Sequence, residues 1–132
     1  MKVFLDTHVL VSAVATRGLC VDVLREVFRH HHLIISPELL TELETIFRKT
    51  LGLPQNMIFE FIEVIKQDSQ LSTPSPLLNV KIRDKDDLSM LSSALNGGAD
   101  LFITGDKELL GLKSIKNMDI VSPRMFWERL KA

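Results

Sequence analysis

The chain reads as an α/β protein, a three-layer α/β/α sandwich with a central parallel sheet. Three observations lead there. Apolar runs at residues 3–5, 33–35, 101–104 and 118–121 have the length and composition of strands buried on both faces. Segments with helical spacing separate them. Ser36-Pro37 and Ser122-Pro123, each directly after an apolar run, pair a helix cap with a proline at the first helical position. Short strands alternating with longer helices give a parallel sheet covered on both sides.

Taken in order, residues 3–5 form a first strand that ends at Asp6. Residues 9–15 continue with helical spacing until Arg17-Gly18 breaks it, and 21–29 form a second helix with Val21, Val23, Leu24, Val27 and Phe28 as its apolar positions. A second strand spans 33–35. The third helix runs from Ser36 to about Lys49, with Leu39, Leu43, Ile46 and Phe47 inward. With Glu42 at zero on a helical wheel, those residues fall between about +40° and +140° and Glu38 near about −40°. Glu42 is thus at the edge of the apolar face, Glu38 is a weaker rival one turn earlier, and Glu44 points away. Gly52-Leu53-Pro54 ends this helix, and 57–66 make a fourth with Ile58, Phe61, Ile62 and Ile65 inward. Pro74 and Pro76 mark a loop, and 79–82 a short extended segment. A fifth helix, capped by Asp84 or Asp86, stops at Gly97-Gly98 and leads into the strand at 101–104, with Asp106 just past it. Residues 107–110 make a helical turn. The last strand, 118–121, precedes a helix carrying Met125, Phe126, Trp127 and Leu130.

A length of 132 residues suits one domain, 1–132, with one ordinary core. Apolar content of 45% with 25% charged residues is that of a soluble globular protein. A net charge of −1 lacks the polybasic signature of bulk nucleic-acid affinity, although a metal ion can supply local positive charge. Cys20 is the only cysteine, which excludes an internal disulfide and suits a small buried apolar role. Neither a signal peptide nor an apolar run long enough for a bilayer is visible, so the cytoplasm is expected, with no membrane partner.

In open parallel sheets, function collects beyond the carboxyl ends of the strands. Asp6 and Asp106 follow two strands, Glu42 lies on the helix after the second strand, and Asp87 opens the helix that leads to Asp106. With Asp87 at zero, Met90 falls at about −60°, Ala94 at about −20°, Leu91 at about +40° and Leu95 at about +80°. Asp87 therefore lies on the apolar face, with Ser89 and Ser93 on the other side. A carboxylate there is costly unless something pairs with it. An acid in the first turn that favours the helix dipole is the plainer alternative, as an N-cap is for Asp6. Carboxylates packed together repel, and either take up protons or recruit a cation. Oxygen donors with no cysteine and no convincing histidine set favour Mg²⁺ or Mn²⁺ over Zn²⁺. His30-His31-His32 are consecutive, do not face one another, and suit an exposed helix end. Arg17, Lys81, Arg83, Lys85 and Lys107 are candidates for phosphate contact against the commoner reading of plain surface charge. Only Lys85 and Lys107 adjoin proposed ligands.

Four segments taken together carry a family resemblance. They are V-F-L-D-T-H-V-L-V-S-A at 3–13, S-P-E-L-L-T-E-L at 36–43, D-K-D-D-L-S-M-L-S-S-A-L at 84–95 and G-A-D-L-F-I-T-G-D at 98–106. In this order and spacing the chain resembles the PIN-domain family, close to the VapC-like bacterial toxins of toxin–antitoxin pairs. The resemblance implies a PIN-like fold and a metal-dependent endoribonuclease acting on single-stranded RNA. It places Asp6, Glu42, Asp87 and Asp106 as catalytic metal ligands for one or two Mg²⁺ or Mn²⁺ ions that activate a water. Thr7 or Thr104 would assist through their hydroxyls, and His8 stands where the family often has Asn. A cognate antitoxin is the implied protein partner. A homodimer is implied as well, and Phe59, Phe61, Phe126 and Trp127 offer more aromatic surface than one small core needs. Two other functions share parts of the pattern. A receiver-like phosphoacceptor would need an acceptor Asp on a middle strand and a Lys after a late one, which 33–35 and 118–121 supply poorly. A PIN-like module that only binds RNA or protein would not need all four acidic positions.

Overall fold

Lys2–Leu5 (β1) lies inside the sheet with a parallel neighbour on each side, so its side chains meet protein above and below. Val3, Phe4 and Leu5 are fully buried. The computed structural model describes residues 1–131. After β1 come Thr7–Ala15 (α1), Leu19–His30 (α2), His32–Ile35 (β2), Pro37–Thr45 (α3), Gln55–Gln67 (α4) and Gln70–Leu71 (β3). Lys85–Asn96 (α5), Leu101–Ile103 (β4), Lys107–Gly111 (α6), Ser114–Ile115 (β5), Met118–Val121 (β6) and Pro123–Lys131 (α7) complete the chain. The sheet has six strands in the order β3-β2-β1-β4-β6-β5. All neighbours are parallel except β5 and β6, an antiparallel hairpin that ends the otherwise parallel sheet at one edge. Phe4 opposes Phe102 in the ladder, and their rings stack at 5.1 Å.

The caps follow local chemistry. Ser36 Oγ accepts the Leu39 N–H at 3.2 Å and Pro37 opens α3, as the Ser-Pro pair predicts. The third helix is not regular to Lys49, however. α3 ends at Thr45 and passes into a π-helical turn, Ile46–Thr50. Phe47 on that turn is fully buried and meets Phe61 edge to face at 5.3 Å, so core packing accompanies the irregular winding.

Residues 79–82 form no strand. The edge strand is β3, whose two residues are both exposed and so carry no apolar signal. Part of the segment between β3 and α5 is tied to α5. Ser92 Oγ accepts the Leu78 N–H at 3.0 Å and donates to Leu88 O at 2.7 Å. Asn96 Nδ2 donates to the carbonyls of Thr73 and Pro76. Within α5, Ser92 and Ser93 are both fully buried, whereas the helical wheel put Ser93 away from the core. The wheel assumes one covered face, and the tethered segment adds cover at Ser92. The C-terminal helix buries Phe126 and half-buries Trp127 but leaves Met125 and Leu130 exposed.

The three histidines do not share one environment. His30 and His32 are exposed, but His31 turns inward. Its Nε2 lies 3.3 Å from Glu26 Oε2, its Nδ1 3.3 Å from the N-terminal amine, and its ring meets Phe126 edge-on. Cys20 is half-buried, and burial pushes its thiol pKa up. Among the described residues, no single helix is long and apolar enough to cross a membrane.

Candidate acidic active site

The register between β1 and β4 brings the first two carboxylates together. Leu5 pairs with Ile103, so the residues that follow them leave the sheet side by side. Asp6 N–H donates to Ile103 O at 2.9 Å, and Thr104 Oγ1 donates to Asp6 Oδ2 at 2.7 Å. The same Thr104 oxygen accepts the Asp106 N–H at 3.0 Å. One buried hydroxyl therefore links the two strand ends. Asp6 sits at the cap position of α1, yet its side chain makes no cap bond, so capping does not explain it. Burial raises its pKa, the Thr104 bond opposes that, and Asp106 adds repulsion.

Cap geometry also sorts the acids at the start of α5. Asp84 Oδ1 accepts the Asp86 N–H at 2.8 Å, which makes Asp84 the cap and leaves Asp87 without that task. Asp87 is half-buried, and its pKa is raised to about 7, first by burial and then by the charges of Asp84, Asp6, Asp106 and Glu42. Asp106 caps α6 with Oδ1, which accepts the N–H groups of Glu108 and Leu109. Glu42, on α3, is half-buried. Burial raises its pKa, the Thr7 hydroxyl opposes this, and Asp6 and Asp86 add repulsion. That Thr7 hydroxyl is itself buried and lies 3.7 Å from Met90 Sδ.

Asp6, His8, Glu42, Ile46, Asp84, Asp87, Gly105 and Asp106 line one cavity of about 570 Å³. All four acids singled out in the sequence are among them. Asp84 is a fifth acid there, which helical position alone had not separated from Asp86. Asp86 and Glu38 instead line a neighbouring cavity of about 510 Å³ that shares Glu42 and Ile46 with the first. Neither lysine nor arginine lines the acidic cavity.

Among the described residues, no three His, Cys, Asp or Glu side chains stand close enough together to grip one ion. The donors still fit a hydrated Mg²⁺ or Mn²⁺, because Mg²⁺ commonly binds through one or two carboxylates and keeps several waters. Mutual repulsion around an open cavity lined by neither lysine nor arginine is the electrostatic condition that a cation relieves.

Three comparisons bear on this geometry. No curated protein sequence matches the chain. A crystal structure of VapBC2 from Rickettsia felis, bound to a DNA fragment from its promoter, shares the fold with a TM-score of 0.65. The match covers 92% of this chain and 98% of that one, at 16% sequence identity. The family model for the PIN domain matches residues 2–108, a span from the first residue of β1 to just beyond Asp106 that holds all four carboxylates. On that match the chain belongs to the PIN-domain family.

Proposed function

We propose that the protein is a divalent-metal-dependent endoribonuclease of single-stranded RNA, acting in the cytoplasm as the toxin of a toxin–antitoxin pair. The supporting observation is the cavity where Asp6, Glu42, Asp87 and Asp106 converge from four elements, with burial and neighbouring charge raising the pKa values of Asp6, Glu42 and Asp87. Between them, directly or through water, these side chains would hold one or two Mg²⁺ or Mn²⁺ ions. The bound ion would supply a water of lowered pKa and positive charge to offset the leaving oxygen. Thr104 fixes the Asp6 carboxylate and the Asp106 backbone relative to each other. Burial and neighbouring acids raise the Asp87 pKa to about 7, which suits it to accept a proton from an attacking water near neutral pH. Among the described residues, His8 is the one histidine lining the cavity, which disfavours a histidine-pair route to a cyclic phosphate. Attack by water on phosphorus, with the 3′-oxygen as the leaving group, gives 5′-phosphate and 3′-hydroxyl ends.

The likeness to VapBC2 supports an antitoxin partner. Self-association into a homodimer is supported by the apolar surface of α4, where Met57, Phe59 and Val64 are exposed. The test of the activity is end-group analysis of RNA cut by the purified protein with Mg²⁺, Mn²⁺ or EDTA, beside Asp6→Asn. Cleavage should need the metal, stop in EDTA and fall by orders of magnitude in the variant. Cyclic phosphate ends, or full activity in Asp6→Asn, would overturn the proposal.

A further inference from the structure

Two lysines directly follow acids that line the cavity, in the same local arrangement. Asp84 caps α5 and lines the cavity, and Lys85 is the first residue of that helix. Asp106 caps α6 and lines the cavity, and Lys107 is the first residue of that one. A cation at a helix start opposes the helix dipole, so neither position is explained by helix stability. Pairing does not explain them either. Both residues are exposed, and among the described residues neither forms an ion pair despite Asp84, Asp86, Asp106 and Glu108 close by in sequence. Asp84 takes the Asp86 N–H, and Asp106 takes those of Glu108 and Leu109. Lys85 and Lys107 are uncommitted cations directly after two of the lining acids.

A polyanion approaching this cavity meets several acids on its lining and neither lysine nor arginine. A bound metal ion offsets charge at the phosphate presented to the acids, and cations outside the lining would offset it at the flanking phosphates. We propose that Lys85 and Lys107 are the phosphate-contacting posts for single-stranded RNA, each engaging a backbone phosphate that flanks the one presented to the acids. This rests on the ribonuclease function proposed above. Such contacts position a strand without reading its bases, and each neutralised phosphate releases condensed counterions.

The experiment measures binding of a fluorescein-labelled, mixed-sequence single-stranded RNA by fluorescence anisotropy across a salt series with Mg²⁺ present. The Asp87→Asn chain serves as the non-cleaving parent. Lys85→Gln and Lys107→Gln should each weaken binding several-fold and flatten the log–log salt dependence by about 0.7, and the double variant by about 1.4, the value for one and two contacts on a single strand. Lys85→Arg and Lys107→Arg should keep the parent's slope. Lys66→Gln, on α4 and outside the acidic cavity, should also keep it. Removing a cation from a helix start should leave the melting temperature equal or higher, so weaker binding cannot be assigned to unfolding. In the cleaving enzyme, the same Gln variants should raise KM more than they lower kcat. Parent-like salt slopes in both Gln variants would overturn this inference while leaving the nuclease proposal intact. A parent that binds no RNA would overturn both.

Discussion

At Asp87 the fold holds a carboxylate against its own preference. Its pKa rises from 3.8 to about 7, mainly through burial and then through four neighbouring acids. Between those values the folded protein binds more protons than the unfolded chain, so stability is full below about pH 4 and falls as pH rises through about 7. Asp6 and Glu42 shift the same way. Metal-free protein should therefore melt at a lower temperature at pH 8 than at pH 5. Asp87→Asn should flatten that dependence, melt no lower than wild type at pH 8, and cleave RNA orders of magnitude more slowly. A steep loss of metal-free stability in Asp87→Asn would show instead that the carboxylate holds the helix start. Mn²⁺ should raise the melting temperature, and more so as pH increases, because the ion binds the deprotonated acids of the folded state. Calorimetry in EDTA and in Mn²⁺ over this pH range measures all of these. The helical wheel put Asp87 on a buried face, but it could not choose the cap between Asp84 and Asp86. That choice depends on a single hydrogen bond at 2.8 Å, which residue spacing does not encode.

Helix α5 carries two kinds of buried serine, and they should behave oppositely. Ser92 both accepts and donates, whereas the fully buried Ser93 Oγ has no partner. Ser93→Ala should be neutral or stabilising by up to about 1 kcal/mol, since it removes an unsatisfied hydroxyl. Asn96→Ala should cost about 1–2 kcal/mol and speed amide exchange in residues 73–80, because Asn96 donates to two carbonyls of that segment. Chemical denaturation and hydrogen exchange check the pair. Most of the elements were legible for one physical reason: β1, β2, β4 and β6 are apolar on both faces, and the helices between them keep a 3.6-residue period. β3 and β5 are two-residue edge strands with no buried residue, so they leave no pattern to read. The π-helical turn was equally hidden, since Phe47 keeps the inward position that a regular helix would also give it.

For the whole molecule, the unpaired feature is the surface of α4. Phe59 is 61% exposed and Val64 57%, and Val14, Phe47, Leu53, Met57, Phe61 and Val64 help line an apolar groove of about 340 Å³. Replacing Phe59 and Val64 together by Ser should lower the mass found by light scattering at high protein concentration without lowering the melting temperature of the fold. A wild-type monomer at that concentration would end the homodimer proposal. The acidic site belongs to this scale too. Its members were legible as strand-end and helix-face acids, but their meeting in one cavity depends on a sheet order that places β1 beside β4. Spacing along the chain alone does not contain that order.

That pairing also sets a clock. Asp6 and Thr104 are 98 positions apart, and the strand carrying Asp6 has no place beside β4 until residues 101–103 exist. At roughly 5–20 residues per second, a ribosome needs on the order of 5–20 seconds to travel from one to the other. For all that time the nascent chain has its first acid and lacks the hydroxyl that orients it. The last carboxylate, Asp106, is translated two residues after Thr104. The site therefore assembles late, and a chain cut short before β4 would lack Thr104 and Asp106 and, on the function proposed above, should not cleave RNA.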